Sequence, residues 1–169
     1  SVTNEIVKIP SHEAYNLDLI KKCVKKFKLV LISCGCLKLN ELKKLIKLKK
    51  FKNVILMHCV SSYPLVSKNC NFVKFDFLKK FSSRVGYSGH YQGIDDALFA
   101  IEKNAIIIEK HFTTNNKLPG RDNKFALLPK DFVFLSNYIK NKNDFQIDMG
   151  LDLQKCERDI FKNYRGRWQ

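Results

Sequence analysis

The chain has 169 residues, 45% of them hydrophobic and 28% charged, which is the apolar content of one folded domain rather than of a disordered tail. Lys and Arg number 31 against 16 Asp and Glu, a net charge of +15 in which only Arg84, Arg121, Arg158, Arg165 and Arg167 are arginines; so lysine-dominated a charge argues against nucleic-acid recognition, which leans on Arg forks and basic clusters. No apolar run approaches the roughly 18 residues of a membrane span and no signal-peptide pattern opens the chain, so the sequence predicts a soluble protein with no membrane partner.

Taken in chain order, Glu5 to Pro10, Leu29 to Ser33, Val54 to Cys59, Val85 to Tyr87 and Ile106 to Lys110 are short apolar, β-branched runs of the kind that form strands buried on both faces. Between them lie helical patterns over Leu17 to Phe27, Glu41 to Lys47 behind the cap Asn40, Phe72 to Phe81, and Ile94 to Lys103. A last helix, Asp131 to Lys140, follows Pro129. Alternation of this kind, about one βα unit per strand, predicts an α/β fold with a parallel sheet and helical crossovers. Lys21, Lys22, Lys25, Lys26, Lys43, Lys44 and Lys47 fall on these helices and read as a solvated outer face.

Five units are too few for a (β/α)8 barrel, which takes eight strands and about 250 residues. The sequence begins at Ser1, without Met, a few residues before the first strand. The expectation is therefore the C-terminal part of a TIM barrel, about five βα units with the N-terminal strands missing, over residues 1–145, and a tail or linker over 146–169. An open doubly wound sheet is the alternative, against which stands the lack of a glycine-rich loop after the first strand. Six scattered cysteines without CxxC spacing point to a reduced, cytoplasmic compartment. The lone Cys34-Gly35-Cys36 reads as a tight turn, with metal binding as the alternative.

In parallel α/β folds the reactive groups gather beyond the carboxyl ends of the strands. There the chain places Lys8, Ser11, His12 and Glu13; then Ser33, Cys34 and Gly35; then His58, Ser61, Ser62 and Tyr63; then Ser88, Gly89 and His90; and finally Glu109, Lys110, His111 and Thr113. Hydroxyls, lysines and a glycine at one mouth suit an anionic ligand such as a phosphate or carboxylate. Histidines at adjacent strand ends suit a divalent metal. Each group also has a plainer reading. His58 on an apolar strand reads as a hydrogen-bonded core residue, the serines can end strands or cap helices, Glu13 can be a first-turn acid, and Asp122 can belong to the Pro119-Gly120-Arg121-Asp122 turn.

Five strings occur in order: Lys8-Ile-Pro-Ser-His-Glu13, His58-Cys-Val-Ser-Ser-Tyr-Pro64, Gly86-Tyr-Ser-Gly-His90, Ile108-Glu-Lys-His-Phe-Thr113 and Leu118-Pro-Gly-Arg-Asp122. Together they closely resemble the N-acetylneuraminate (sialic acid) synthase family, which includes legionaminate, pseudaminate and spore-coat polysaccharide synthases. The resemblance implies a TIM barrel that condenses phosphoenolpyruvate with the aldehyde of an N-acylated amino sugar of the N-acetylmannosamine type, releasing phosphate and forming a nonulosonic acid for surface polysaccharide. It also implies a divalent metal, Mn2+ or Mg2+, and a homodimer in the full-length protein. Carried over by motif, Lys8, Ser11, Ser33, Ser61 and Ser88 surround phosphoenolpyruvate, and Tyr63 and Asp122 contact the sugar. His90 and His111 hold the metal, and Glu13, together with Lys8, serves catalysis, Glu13 as the proton-transfer group.

There are departures. Relatives carry Asp or Gly where Gly89 stands, Asn123 replaces a common His, and Phe125 and Ala126 replace a small residue and a Ser. The first three strands and the C-terminal antifreeze-like domain of the family have no counterpart, so the resemblance implies an incomplete catalytic unit. The rival reading is a non-catalytic half-barrel that binds a phosphorylated ligand or a partner subunit. The basic, aromatic tail Asn163 to Gln169 matches none of the motifs.

Overall fold

In the computed structural model, which describes residues 3–167 apart from the side chain of Lys49, strands and helices alternate through most of the chain. Ser1, Val2 and the tail residues Trp168 and Gln169 lie outside the described residues. The order is β1 (Ile6–Ile9), α1 (Leu17–Lys26), β2 (Leu29–Ser33), α2 (Leu39–Ile46), β3 (Val54–Cys59), α3 (Phe72–Lys79), β4 (Val85–Gly89), α4 (Asp95–Glu102), β5 (Ile108–Lys110), α5 (Pro129–Phe145) and α6 (Arg158–Asn163). The five strands form one parallel sheet in sequential order β1-β2-β3-β4-β5. Sequential parallel strands joined by helices are the running pattern of a (β/α)8 barrel, so the sheet is a partial TIM barrel.

The sheet is curved, and one contact shows it. Four strand spacings laid flat would separate β1 from β5 by about 19 Å. Yet Lys8 Nζ on β1 lies 2.8 Å from Oε1 and 2.7 Å from Oε2 of Glu109 on β5. The sheet therefore closes toward itself, with Lys8 and Glu109 on the concave side. Strand residues of opposite parity face outward: Val30, Ile32, Val54, Leu56 and Val85 pack against Ile20 of α1, Leu42 and Leu45 of α2, and Phe75 and Leu78 of α3. This apolar layer, at roughly 1.5–3 kcal/mol per fully buried large side chain, holds the helices on the sheet and fixes which residues point inward.

The helix boundaries follow local chemistry. Asn16 caps α1 by accepting from Leu19 N at 3.1 Å. The second helix starts at Leu39 rather than behind Asn40, because the Lys38 backbone N–H donates to Glu41 Oε2 at 2.8 Å and closes the first turn. α5 starts at Pro129 rather than Asp131, since proline suits the first helical position, and the Leu128 N–H donates to Asp131 Oδ2 at 2.8 Å. Its continuation to Phe145 passes Ser136, where the described residues divide into two units. In the second unit α6 and the residues after it carry cation–π pairs, Arg165 over Phe161 at 4.6 Å and Arg167 over Tyr164 at 4.4 Å. Among the described residues no helix is long and apolar enough to cross a membrane.

His58 belongs to the outer layer. It is fully buried between Phe72, Phe75 and Tyr87. Its Nε2 lies 2.8 Å from the Cys70 carbonyl; a carbonyl only accepts, so Nε2 carries the proton, and Nδ1 is buried without a partner among the described residues. Burial pushes the imidazole pKa down to about 4. The unfolded state then binds more protons than the folded one between pH about 4 and 6.5, so this contribution is full above pH 6.5 and lost as the pH falls toward 4. Urea unfolding at pH 7 and pH 4 is expected to show the wild type losing about 3 kcal/mol more than His58→Gln. Equal losses in the two proteins would contradict this account.

Candidate functional site

At the carboxyl ends of the strands, on the concave side, lies a cavity of about 320 Å³ whose wall includes Lys8, Ser11, Ser33, Ser61, Tyr63, Ser88 and His90. Alternation along the strands puts them there: Lys8, Ser33, Cys59 and Ser88 have inward parity, whereas their neighbours Ile9, Ile32, His58 and Tyr87 pack outward. Seven of the nine residues singled out from sequence as binding or metal-ligating thus share one wall. The other two, His111 and Asp122, sit beside it.

The hydroxyls are held by the backbone. Ser11 Oγ accepts from the Gly35 N–H at 3.1 Å and donates to Cys59 Sγ at 3.4 Å. Gly35 has no side chain because a Cβ there would approach both Ser11 Oγ and Ser61 Oγ to 2.5 Å. Thus the Cys34-Gly35-Cys36 turn brings the Gly35 backbone N–H to the hydroxyl cluster and Cys36 to the cavity wall. Lys74 of α3 ties the turn down by donating to the Cys34 carbonyl. Ser33 Oγ is buried with no hydrogen-bond partner among the described residues. An unpaired buried hydroxyl is costly, and this one lies in the cavity wall, where a ligand oxygen can satisfy it.

His90 and His111 face each other with ring centroids 5.3 Å apart. His90 Nδ1 lies 2.9 Å from the Val60 carbonyl, so Nδ1 carries the proton and Nε2 keeps its lone pair, the usual outer-shell arrangement of a metal-ligating histidine. Burial holds the His90 pKa below the ordinary imidazole range. Burial and then His90 do the same for His111, against the opposing pull of Asp122. Both rings are therefore neutral at pH 7 and able to ligate, and as imidazole nitrogens they fit a first-row divalent metal. Among the described residues no group of three or more His, Cys, Asp or Glu is arranged to hold a metal.

Tyr63 roofs the imidazoles, 4.2 Å from the His90 ring and 6.0 Å from that of His111. The Arg121 guanidinium lies over it at 5.2 Å from the ring centroid, with Nε 3.3 Å from Asp122 Oδ1. Asp122 Oδ2 is 3.6 Å from His111 Nδ1. The replacements in this loop have visible places: Phe125 is buried edge-on to His111 at 5.1 Å, and Asn123 Nδ2 donates to the Pro119 carbonyl at 2.8 Å. Glu13 stands apart. It ends the turn Ser11–Glu13, half-buried, with Asn16 Nδ2 donating to it at 3.4 Å, and is not among the cavity's wall residues. Sequence reasoning gave no role to Glu109, the partner of Lys8, nor to Cys59, whose Sγ lies 4.0 Å from His90 Nδ1. Parity was the available signal for Glu109, since it shares the face of His111.

Residues 1–148 match the model of the NeuB family. The chain belongs to the NeuB family. It is 34% identical over 165 residues to the N,N'-diacetyllegionaminic acid synthase of Campylobacter jejuni, covering 94% of this chain and 48% of that protein. It is 30% identical over 160 residues to the pseudaminic acid synthase of the same organism, covering 92% and 46%. Among solved structures, the N-acetylneuraminic acid synthetase of Leptospira borgpetersenii in complex with citrate matches with a TM-score of 0.77 and 30% identity over 96% of this chain and 59% of that one. The chain thus spans about half the length of the curated relatives it matches. A DAHP synthase of Thermotoga maritima shares the fold, with a TM-score of 0.65 at 17% identity.

Gly35→Ala tests the hydroxyl cluster of this NeuB-family site. Its methyl group must displace both Ser11 and Ser61, so calorimetric titration with inorganic phosphate is expected to show affinity about tenfold weaker, near 1.4 kcal/mol, while the far-UV spectrum stays unchanged. Unaltered phosphate affinity would remove the cluster from anion binding.

Proposed function

We propose that this chain carries the phosphoenolpyruvate-binding and metal-binding face of a nonulosonic acid synthase, which joins phosphoenolpyruvate to the aldehyde of an N-acylated amino sugar and releases phosphate. The observation that carries the reading is the single cavity in which one lysine and four serine hydroxyls, one of them buried and unpaired, lie beside two neutral facing imidazoles. Family membership and the synthase names of the relatives support it.

In this reading Lys8 and Ser11, Ser33, Ser61 and Ser88 bind the phosphate and carboxylate of phosphoenolpyruvate. Lys8 exchanges its bond with Glu109 for one with the incoming anion. The lysine charge and hydroxyl dipoles, already oriented, hold the phosphate until it leaves. Tyr63 and Asp122 orient the sugar so that its aldehyde carbon meets the enol carbon, where the new carbon–carbon bond forms as the aldehyde oxygen gains a proton. His90 and His111 would hold Mn2+ or Mg2+, which when bound supplies Lewis-acid polarisation of the aldehyde oxygen. The new carbon–carbon bond leaves the carbon bearing the phosphate cationic; a water oxygen bonds to it, giving up a proton to Glu13 by way of one intervening water. The hydroxyl so formed becomes the product's keto oxygen, its proton leaving with the phosphate as the bond from that carbon to the phosphate oxygen breaks.

Supplying the native full-length polypeptide with phosphoenolpyruvate, Mn2+ and an N-acylated mannosamine-type sugar is expected to release phosphate only when both substrates are present. Release from phosphoenolpyruvate alone, or none with any such sugar, would overturn the reading. Lys8→Ala is expected to raise the phosphoenolpyruvate dissociation constant by a factor of about ten or more, the scale of a lost charge-assisted hydrogen bond. His90→Ala or His111→Ala is expected to weaken Mn2+ in a paramagnetic-resonance titration, and an unchanged titration would remove both as ligands.

A further inference from the structure

Lys110, expected with the other polar groups at the mouth, is instead turned by strand alternation to the convex side of the sheet, behind the cavity, where it belongs to a second cluster of charge. Lys110 Nζ lies 2.8 and 2.9 Å from the two carboxylate oxygens of Asp96 and 2.7 Å from the Tyr91 carbonyl, so all three of its protons have an acceptor. Asp96 Oδ2 accepts from the Tyr87 hydroxyl at 2.8 Å, and Oδ1 from the Ala97 N–H at 2.8 Å. The Lys110 and Asp96 side chains are only 2% and 1% exposed. Position 89 makes room for them, because a Cβ on Gly89 would overlap Asp96 Oδ2 and the Tyr87 ring.

A buried ion pair is a poor source of stability, since well-packed apolar side chains often do as well or better. What this pair does supply is a connection. Lys110 stands between Glu109 and His111, both of which serve the cavity, and alternation sends its own side chain to the opposite face. Its ammonium there grips the Tyr91 carbonyl, one residue beyond His90. The His90 carbonyl is held in turn by the Leu65 N–H at 2.9 Å, within the bridge between Leu65 and Tyr91. Asp96, on the first turn of α4, anchors the grip to the helix that packs on β4 and β5.

We propose that the Lys110–Asp96 pair, braced by Tyr87, is a positioning device that holds His90 and His111 at their facing separation from the back of the sheet. The proposal rests on the reading of these two residues as a metal pair, and its test keeps the two separable. The native full-length polypeptide is compared with Tyr87→Phe, which removes one hydrogen bond and leaves both charges, and with the double variant Asp96→Asn/Lys110→Met, which removes both charges together and strands neither. The first readout needs no metal: long-range 1H–15N spectra of the histidine rings in the metal-free protein. Wild-type His90 is expected as a single Nδ1–H tautomer. In the double variant the His90 and His111 ring signals shift toward tautomer averaging, while those of His58 and His12 stay in place.

The second readout is Mn2+ affinity against phosphoenolpyruvate affinity. Mn2+ is expected to weaken by about tenfold, the lower end of outer-shell effects, with phosphoenolpyruvate unchanged; Tyr87→Phe shifts both readouts in the same direction and less far. Unmoved ring signals in a folded variant overturn the proposal, and so does a loss of melting temperature accompanied by equal weakening of both ligands. Absence of Mn2+ binding in the wild type overturns the metal reading alone, since the ring spectra still decide the positioning. If the double variant does not fold, Tyr87→Phe decides by the same spectra.

Discussion

Curvature of the sheet is the constraint on which the site depends. Five parallel strands laid flat would carry their polar ends along an open edge, where Lys8 and Glu109 could never meet. The meeting of these side chains across three intervening strands shows that the ends are instead drawn round a common centre. The ion pair is too exposed to impose the bend, contributing about 1 kcal/mol at most. The apolar faces of the helices cover the convex side, and polar groups gather on the concave side at the carboxyl ends of the strands.

Within that centre the charge balance is spare. Lys8 is matched by Glu109, the two imidazoles are kept neutral by burial, and the remaining wall contributes hydroxyl and thiol dipoles. An anion entering such a cavity meets one exchangeable cation and a set of hydroxyl groups, of which Ser33 has no partner among the described residues. The unpaired Ser33 hydroxyl expresses the same economy: its desolvation has already been met in folding, and a ligand oxygen recovers it.

Much of this was legible in the sequence because strand periodicity is short and strict. The five apolar runs located the five strands, and the polar residues after them located the mouth. Ends were less legible. β4 runs to Gly89 instead of ending at Tyr87, since Ser88 and Gly89 find ladder partners in Cys59, Glu109 and Lys110, which pattern in one strand cannot reveal. β5 begins at Ile108, two residues late, although the Ile106 N–H still donates to the Val85 carbonyl of β4 at 3.0 Å. Glu13 was legible as part of a motif but not in its orientation, which the short turn decides. The Lys110–Asp96 pair was hidden for a different reason. A lysine at a polar strand end and an aspartate in a first helical turn each have an ordinary explanation, and only the packing of α4 on β4 and β5 brings them together. The same packing gives the Gly89 position its meaning, which composition and spacing could not.

The alternation of Glu109, Lys110 and His111 has a consequence for how this chain can change over generations. Three consecutive residues serve opposite faces, so a single-codon deletion or duplication anywhere between Gly89 and Glu109 that the α4 connection failed to absorb would exchange their destinations. The cavity would then receive an ammonium in place of a carboxylate and an imidazole, and the buried Asp96 carboxylate would lose its lysine and face a second carboxylate. A change of length in this stretch therefore disturbs the site on both faces at once, which no single substitution among the three residues does.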